Sequence, residues 1–260
     1  MTGKSSAGDS DLPASLEAAW GLRERPAKGP RPGLSLERIV SAAVDVAAAD
    51  GLAAVSMGRV AQELGASTMS LYRYVSAKDE LYVLMQEAAV GPPDPLAALA
   101  AGAGWRAALL EWASAQRTRF HANLWVLRIP IGGPPATPNS LAWWEQGLQA
   151  LADSGLSEGD KISVILLISS FVRSEALLMS DLSAAVTARG VPPEDVVAAN
   201  ERTLRRLVDP DRHPGIARLL ESGVMGGPDD PDHEFRFGME RLLDGVDALI
   251  RTAGGDAGPA

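Results

Sequence analysis

With 260 residues, 46% hydrophobic and 22% charged, the chain has room for a head of about 70 residues plus a larger body, and its composition is that of an ordinary globular protein. It contains no cysteine, which excludes disulfides, thiolate metal sites and a cysteine nucleophile and fits a reducing compartment. The net charge of −9 argues against a nucleic-acid partner only until it is split: residues 21–90 hold eight cations and eight anions, and residues 91–260 hold fifteen and twenty-two.

The first twenty residues are small and polar, carry no apolar signal segment, and read as mostly disordered in a soluble, cytoplasmic chain. Arg23 to Gly33, with three prolines and four cations, reads as a basic arm, so residues 1–34 form a tail and arm. Ser35 then caps a helix whose apolar positions Leu36, Ile39, Val40, Ala43, Val44 and Ala47 recur at spacings of three and four, up to Gly51. A second helix starts after Ser56 and closes at Gly65, and a short third opens at Ser67 or Thr68 and ends near Tyr74-Val75. Ser76 followed by acids marks a fourth, which stops at the Gly91–Pro95 cluster, the boundary between head (35–91) and body (92–253). Body helices are predicted near 96–122, 139–153, 158–189, 193–207, 214–222 and 232–253, with a disordered tail over 254–260. Period-two alternation is absent, so the fold class is all-α: a three-helix helix-turn-helix head, its following helix, and a larger helical domain. The apolar run Ile162–Val172 carries three serines and is too short to span a bilayer.

The stretch Val55–Lys78 is the most informative. Two short amphipathic helices joined through Gly65-Ala66-Ser67 must cross steeply, so one can lie over a DNA backbone while the next enters the major groove. The second of them offers Thr68, Met69, Ser70, Tyr72 and Arg73 outward, with Leu71 and Val75 turned to the core. Two packed core helices with a tight turn are the plainer alternative. Ile39 through Leu84 resembles the DNA-binding head of the tetracycline-repressor (TetR) family of bacterial regulators, most specifically in Leu71-Tyr72-x-Tyr74-x-x-x-Lys78. The resemblance implies base-reading roles for Thr68, Met69 and Tyr72, and phosphate contacts from Ser56, Ser70, Tyr74 and Lys78. Gly58 stands where some relatives carry a base-reading arginine, a contact that Arg59 would partly replace.

The body is similar to the antibiotic-export branch of that family in His121–Trp125, Pro138–Trp144, Gly155–Ser157 and Phe171–Glu175. That likeness implies dimerisation through two C-terminal helices and a ligand cavity in each subunit. Rings concentrate before residue 172, and the expected cavity is lined by Trp112, Trp125, Trp143, Trp144 and Phe171, with Arg173 as polar anchor for a planar or aromatic effector. Plain core packing is the alternative for the rings, and a salt bridge to a neighbouring acid is the alternative for Arg173. The three histidines are far apart, no phosphate-cradling loop is present, and Gly8–Leu12 only superficially resembles a hydrolase serine motif. The expectation is a non-enzymatic, cofactor-free, homodimeric repressor released from a palindromic operator by a small molecule. The alternative is a helical ligand-binding or scaffolding protein that has lost DNA binding.

Overall fold

Serine oxygens start three of the four head helices; the fourth, at Lys78, has Ala77 as its N-cap, and Ser76 instead donates its backbone N–H to Glu80 at 2.6 Å. Ser35 Oγ accepts from Arg38 N–H at 3.2 Å, Ser56 Oγ from Arg59 N–H at 3.1 Å, and Ser67 Oγ from Ser70 N–H at 3.2 Å, each satisfying an N–H that has no partner within its helix. The computed structural model describes residues 12–22, 34–133, 136–226 and 230–255. The basic arm around Arg23–Arg31 and most of the two tails lie outside them.

Among the described residues there are twelve α-helices and no strand. A short helix α1 (Ala14–Ala19) precedes the head helices α2 (Leu36–Asp50), α3 (Met57–Glu63), α4 (Thr68–Leu71) and α5 (Lys78–Val90). The body follows as α6 (Ala97–Ala100), α7 (Trp105–Ala122), α8 (Pro138–Ala150), α9 (Glu158–Thr187), α10 (Pro193–Leu207), α11 (Pro214–Glu221) and α12 (His233–Gly255). Single 3-10 turns occupy Leu52–Ala54, Leu124–Arg128 and Val224–Gly226. Two features depart from the sequence reading. Residues 14–19 are helical rather than disordered, and the expected helix 96–122 is split where Gly102 and Gly104 both take positive φ.

The head encloses its own core. Ile39, Ala43, Val55, Val60, Leu71, Val75, Leu81 and Met85 are all fully buried, the larger of them contributing about 1.5–3 kcal/mol each. Between α3 and α4 the chain turns through Gly65 at φ +60°, with Ala66 N–H donating to Ala61 O at 2.9 Å and Gly65 N–H to Gln62 O at 3.1 Å. That pair of bonds is a Schellman closure, and the left-handed residue it needs is glycine.

A second core joins α7, α8, α9 and α12 around Trp112, Leu151, Ile165, Ile168, Met239 and Leu243. Head and body are joined tightly. Trp125, Val126 and Ile129, which follow α7, pack inside the head core rather than the body core. Asn139 of α8 donates to Glu87 through its backbone N–H (2.8 Å) and its side-chain amide (3.0 Å). Trp143 Nε1–H donates to Gly91 O at 3.0 Å, so the proline-rich boundary is held against α8.

Within the body, Arg117 of α7 forms a two-pronged bond to the buried Glu175 of α9 at 3.0–3.2 Å and reaches Asp232 ahead of α12 at 2.6 Å. Its guanidinium also lies 4.7 Å from the Phe235 ring centroid. Burial opposes the charge on Arg117, but the bonds to Glu175 and Asp232 outweigh it and raise its pKa above the ordinary value.

α9 is long and apolar enough, by length and composition, to cross a membrane. In the fold one side of it packs on α7, α8 and α12, while Leu166, Leu167, Leu178 and Leu182 are exposed. α12 likewise exposes Phe237 and Leu249.

The three-way contact of α7, α8 and α9 is closed by Gly147, where a Cβ would stand 2.6 Å from Ile165 and 2.8 Å from the Trp112 ring. Gly147→Ala is therefore expected to destabilise the body by about 1–3 kcal/mol through overpacking. Chemical denaturation of the wild type and variant measures it, and equal midpoints would refute the tight approach.

Candidate DNA-binding face and effector cavity

On α4 the chain turns two residue types in opposite directions. Leu71 and Val75 are fully buried, whereas Thr68, Met69 (76% exposed), Tyr72 (48% exposed) and Arg73 project outward from one side. Positions 68, 69, 72 and 73 share a face because they lie one turn apart. Just beyond, Lys78 is exposed at the first turn of α5, with its ammonium 5.1 Å from the Tyr82 ring centroid. The hydroxyls of Ser67 and Ser70 lie 2.7 Å apart, and Ser56 Oγ is the acceptor that caps α3, which leaves its O–H as a donor.

Two of the expected contacts are directed elsewhere. Tyr74 donates its one hydroxyl proton to Leu34 O at 3.1 Å, tying the end of the recognition segment to the start of α2. Arg59 is ion-paired to Asp50 (3.4 Å) and to Glu63 one turn along α3. In this structure the Arg59 guanidinium is thus turned to those two carboxylates, while its backbone N–H donates to the Ser56 Oγ that caps α3.

In the body, a cavity of about 930 Å³ lies between α5, α7, α8, α9 and the segment that leads into α8. Trp112, Trp143, Trp144 and Arg173 line it, together with Gln116 and Ser169. The indole N–H of Trp112 donates to the backbone O of Trp143 at 2.9 Å, and that of Trp143 to Gly91 O at 3.0 Å, so each ring is held in position. Gln116, which sequence reasoning missed, is buried, and its Nε2 finds no acceptor among the described residues. A lone glutamine inside an amphipathic helix gives no sequence signal of that kind.

Trp125 and Phe171 are corrections, for they do not line the cavity. Trp125 is carried by the 3-10 turn Leu124–Arg128 into the head core, where its Nε1 has no acceptor among the described residues. Phe171 turns towards α12 and stacks on Phe235, with ring centroids 6.3 Å apart. It enters a notch left by Gly238, where a Cβ would approach within 2.2 Å of the ring.

Arg173 is held in an unusual way. Its Nη2 donates to Leu127 O at 2.6 Å and Ile129 O at 3.2 Å, the carbonyls that end the 3-10 turn. No carboxylate among the described residues pairs with it; Glu175, two positions along the same helix, faces another side and is engaged by Arg117. Burial, uncompensated by any acid, lowers the pKa of Arg173 from its ordinary value, although a guanidinium keeps its proton. The cavity wall thus carries a positive charge that is satisfied by dipoles alone.

Comparison with known proteins agrees with both halves. Residues 39–85 match the family model described as "Bacterial regulatory proteins, tetR family", and residues 99–250 match "Tetracyclin repressor-like, C-terminal domain". The chain is 36% identical over 252 residues to the HTH-type transcriptional repressor DrrR1 of Streptomyces coeruleorubidus, covering 97% of this chain and 92% of that one. Among solved structures it is similar to the Streptomyces coelicolor TetR family protein ActR in complex with actinorhodin (TM-score 0.67, 28% identity, 84% of this chain and 97% of that one). ActR in complex with (S)-DNPA gives a TM-score of 0.66 at 27% identity over 83% and 98% of the two chains. With both the head and the body matched, the chain belongs to the TetR family: it is a DNA-binding, ligand-responsive transcriptional repressor that works as a homodimer.

Proposed function

We propose that residues 35–91 form the operator-binding unit and residues 92–253 the effector-binding and dimerisation unit of a cytoplasmic repressor, and that an aromatic anion in the cavity releases it from a palindromic operator. The observation that carries this reading is Arg173: a cavity-lining cation with no acid partner among the described residues, bonded to the carbonyls of the turn that carries Trp125 and Val126 into the head core. A carboxylate or phenolate entering the cavity competes with Leu127 O and Ile129 O for that guanidinium, and charge-assisted bonds favour the anion. Freed carbonyls loosen the turn, and Trp125, Val126 and Ile129 pass the change to the head. Release follows only in so far as effector favours the DNA-incompetent arrangement over the competent one. Trp112, Trp143 and Trp144 supply stacking area, and the Gln116 amide supplies a donor. Regulation of this kind needs no catalysis, and none is assigned.

On the DNA side, Thr68, Met69 and Tyr72 read bases, while Ser56, Ser70 and Lys78 contact phosphates. Met69 suits a thymine methyl rather than a bidentate hydrogen bond. Tyr74 and Arg59 act within the head, orienting α4 and α3 through Leu34, Asp50 and Glu63. Leu167, Leu178 and Leu182 of α9, with the exposed Phe237 of α12, meet their copies in the partner as an intersubunit helix bundle. A dimer so joined spaces its two recognition helices about one DNA turn apart.

Tyr72→Ala is expected to lower sequence-specific affinity far more than non-specific affinity. Lys78→Ala is expected to weaken both alike and to reduce the salt slope of binding by about one unit, since one phosphate contact is lost. Fluorescence-anisotropy titrations at several salt concentrations separate the two, and equal loss of discrimination from both variants would refute the division of roles.

Arg173→Met is expected to weaken binding of the aromatic anion 1-anilinonaphthalene-8-sulfonate roughly ten- to hundredfold, the worth of about 1.5–3 kcal/mol for a charged hydrogen bond. Titration of tryptophan fluorescence measures it, followed by an operator-release assay with the same probe. Unchanged affinity would remove Arg173 from the effector site.

A further inference from the structure

α1 lies outside both family segments, which begin at residue 39 and residue 99, yet its residues Ser15 and Leu16, with Pro13 just before it, line the effector cavity. Its next turn faces the other way, with Ala18 and Ala19 packed against the head core and the helix lying on α5. Trp20 Nε1–H donates to Ala136 O at 2.8 Å, in the segment that leads into α8. α1 thus spans from the head to the body across the cavity. A helix of six residues with no side-chain cap is far below the length that sustains itself in water, so its helical state depends on these contacts. Its C-terminus is closed, however: Leu22 N–H donates to Glu17 O at 2.8 Å and Gly21 N–H to Ala18 O at 3.1 Å, with Gly21 at φ +66°. The result is a defined but detachable element whose inner surface, an apolar leucine and a serine hydroxyl, is set to touch whatever fills the cavity.

We propose that α1 is the outer wall of the effector cavity, a ligand-contacting element latched by the Trp20–Ala136 hydrogen bond, so that effector access and residence depend on residues that precede the DNA-binding head. This rests on the reading of the cavity as the effector site. The wall also joins effector to head by a second route. A ligand that presses on Leu16 presses on the helix that packs against α5, and residues 20–33 separate α1 from Leu34, which precedes α2. Leu16 and Ser15 become specificity determinants, trimming the accepted ligands to those whose outer edge fits beneath them.

The absence of cysteine allows a direct test. Ser169→Cys places a single thiol in the cavity wall, and its rate of alkylation by a maleimide reports access without any effector. Removal of residues 2–20 is expected to raise that rate about tenfold, because closure by α1 no longer limits entry. Trp20→Phe, which keeps the chain whole and breaks only the latch, is expected to raise it by a smaller factor and stands in if the deletion fails to fold. Bound 1-anilinonaphthalene-8-sulfonate should protect the thiol, and its dissociation should be faster in the deletion and in Leu16→Ala. Equal alkylation rates in the full chain, the deletion and Trp20→Phe would overturn the wall. Faster alkylation without protection by the probe in any form would uphold the wall and overturn the reading of the cavity as a site for aromatic anions.

Discussion

The arrangement turns on how Arg173 is satisfied. Within the body the buried Glu175 belongs to Arg117, whose fork meets both oxygens while Asp232 takes the remaining side. Arg173, on the same helix as Glu175, is left to the carbonyls of the 3-10 turn. A half-buried cation with no counter-charge among the described residues carries a desolvation cost, and carbonyl dipoles offset that cost only in part. The same bonds keep the turn, and with it Trp125, Val126 and Ile129, seated in the head. The clamp at Arg117 joins α7, α9 and the residue ahead of α12, while Arg173 and the Gln116 amide leave a position in the cavity where a ligand has something to gain.

Rigidity around that position matters as much as the charge. The 3-10 turn is tied to α9 a second time, through the ion pair of Arg128 with Asp181. The linker at Gly91–Pro95 is fastened by Trp143, Gln146 and Arg119 rather than left to swing. A displacement beginning at the cavity therefore has few soft places in which to dissipate before it meets the head. Close-packed interiors shift between discrete arrangements instead of deforming smoothly.

The legible parts of the sequence were those governed by local rules. Serine before an apolar periodic run marked the starts of α2, α3 and α4, and Gly65 marked the turn between the two crossing helices. The outward set Thr68, Met69 and Tyr72 followed from helical spacing alone. The same logic was present and unread at the N-terminus, where Gly21 ends α1 with the Schellman closure that Gly65 uses. Residues 1–20 look polar because α1 offers only one leucine, and a helix stabilised by contacts far away in sequence leaves no periodic signature of its own. The misplacement of Trp125 and Phe171 has a similar origin. Ring content announces a cavity, but which rings face it depends on a 3-10 turn after α7 and on the notch at Gly238, both of them non-local. Tyr74 and Arg59 illustrate the limit at finer scale, since their partners Leu34, Asp50 and Glu63 come from packing and capping rather than from the motif.

α9 has a consequence at the level of the assembled pair. One side of it carries Leu166, Ser169 and Arg173 against the cavity, and a neighbouring side offers Leu167, Leu178 and Leu182 outward. The two sides are faces of one rigid rod, so the surface that a partner rests on cannot be indifferent to what occupies the interior. Where two copies join through that outward side, as proposed above, the rod is a mechanical element common to both interiors, and the contact between subunits is the physical route by which one interior would sense the other.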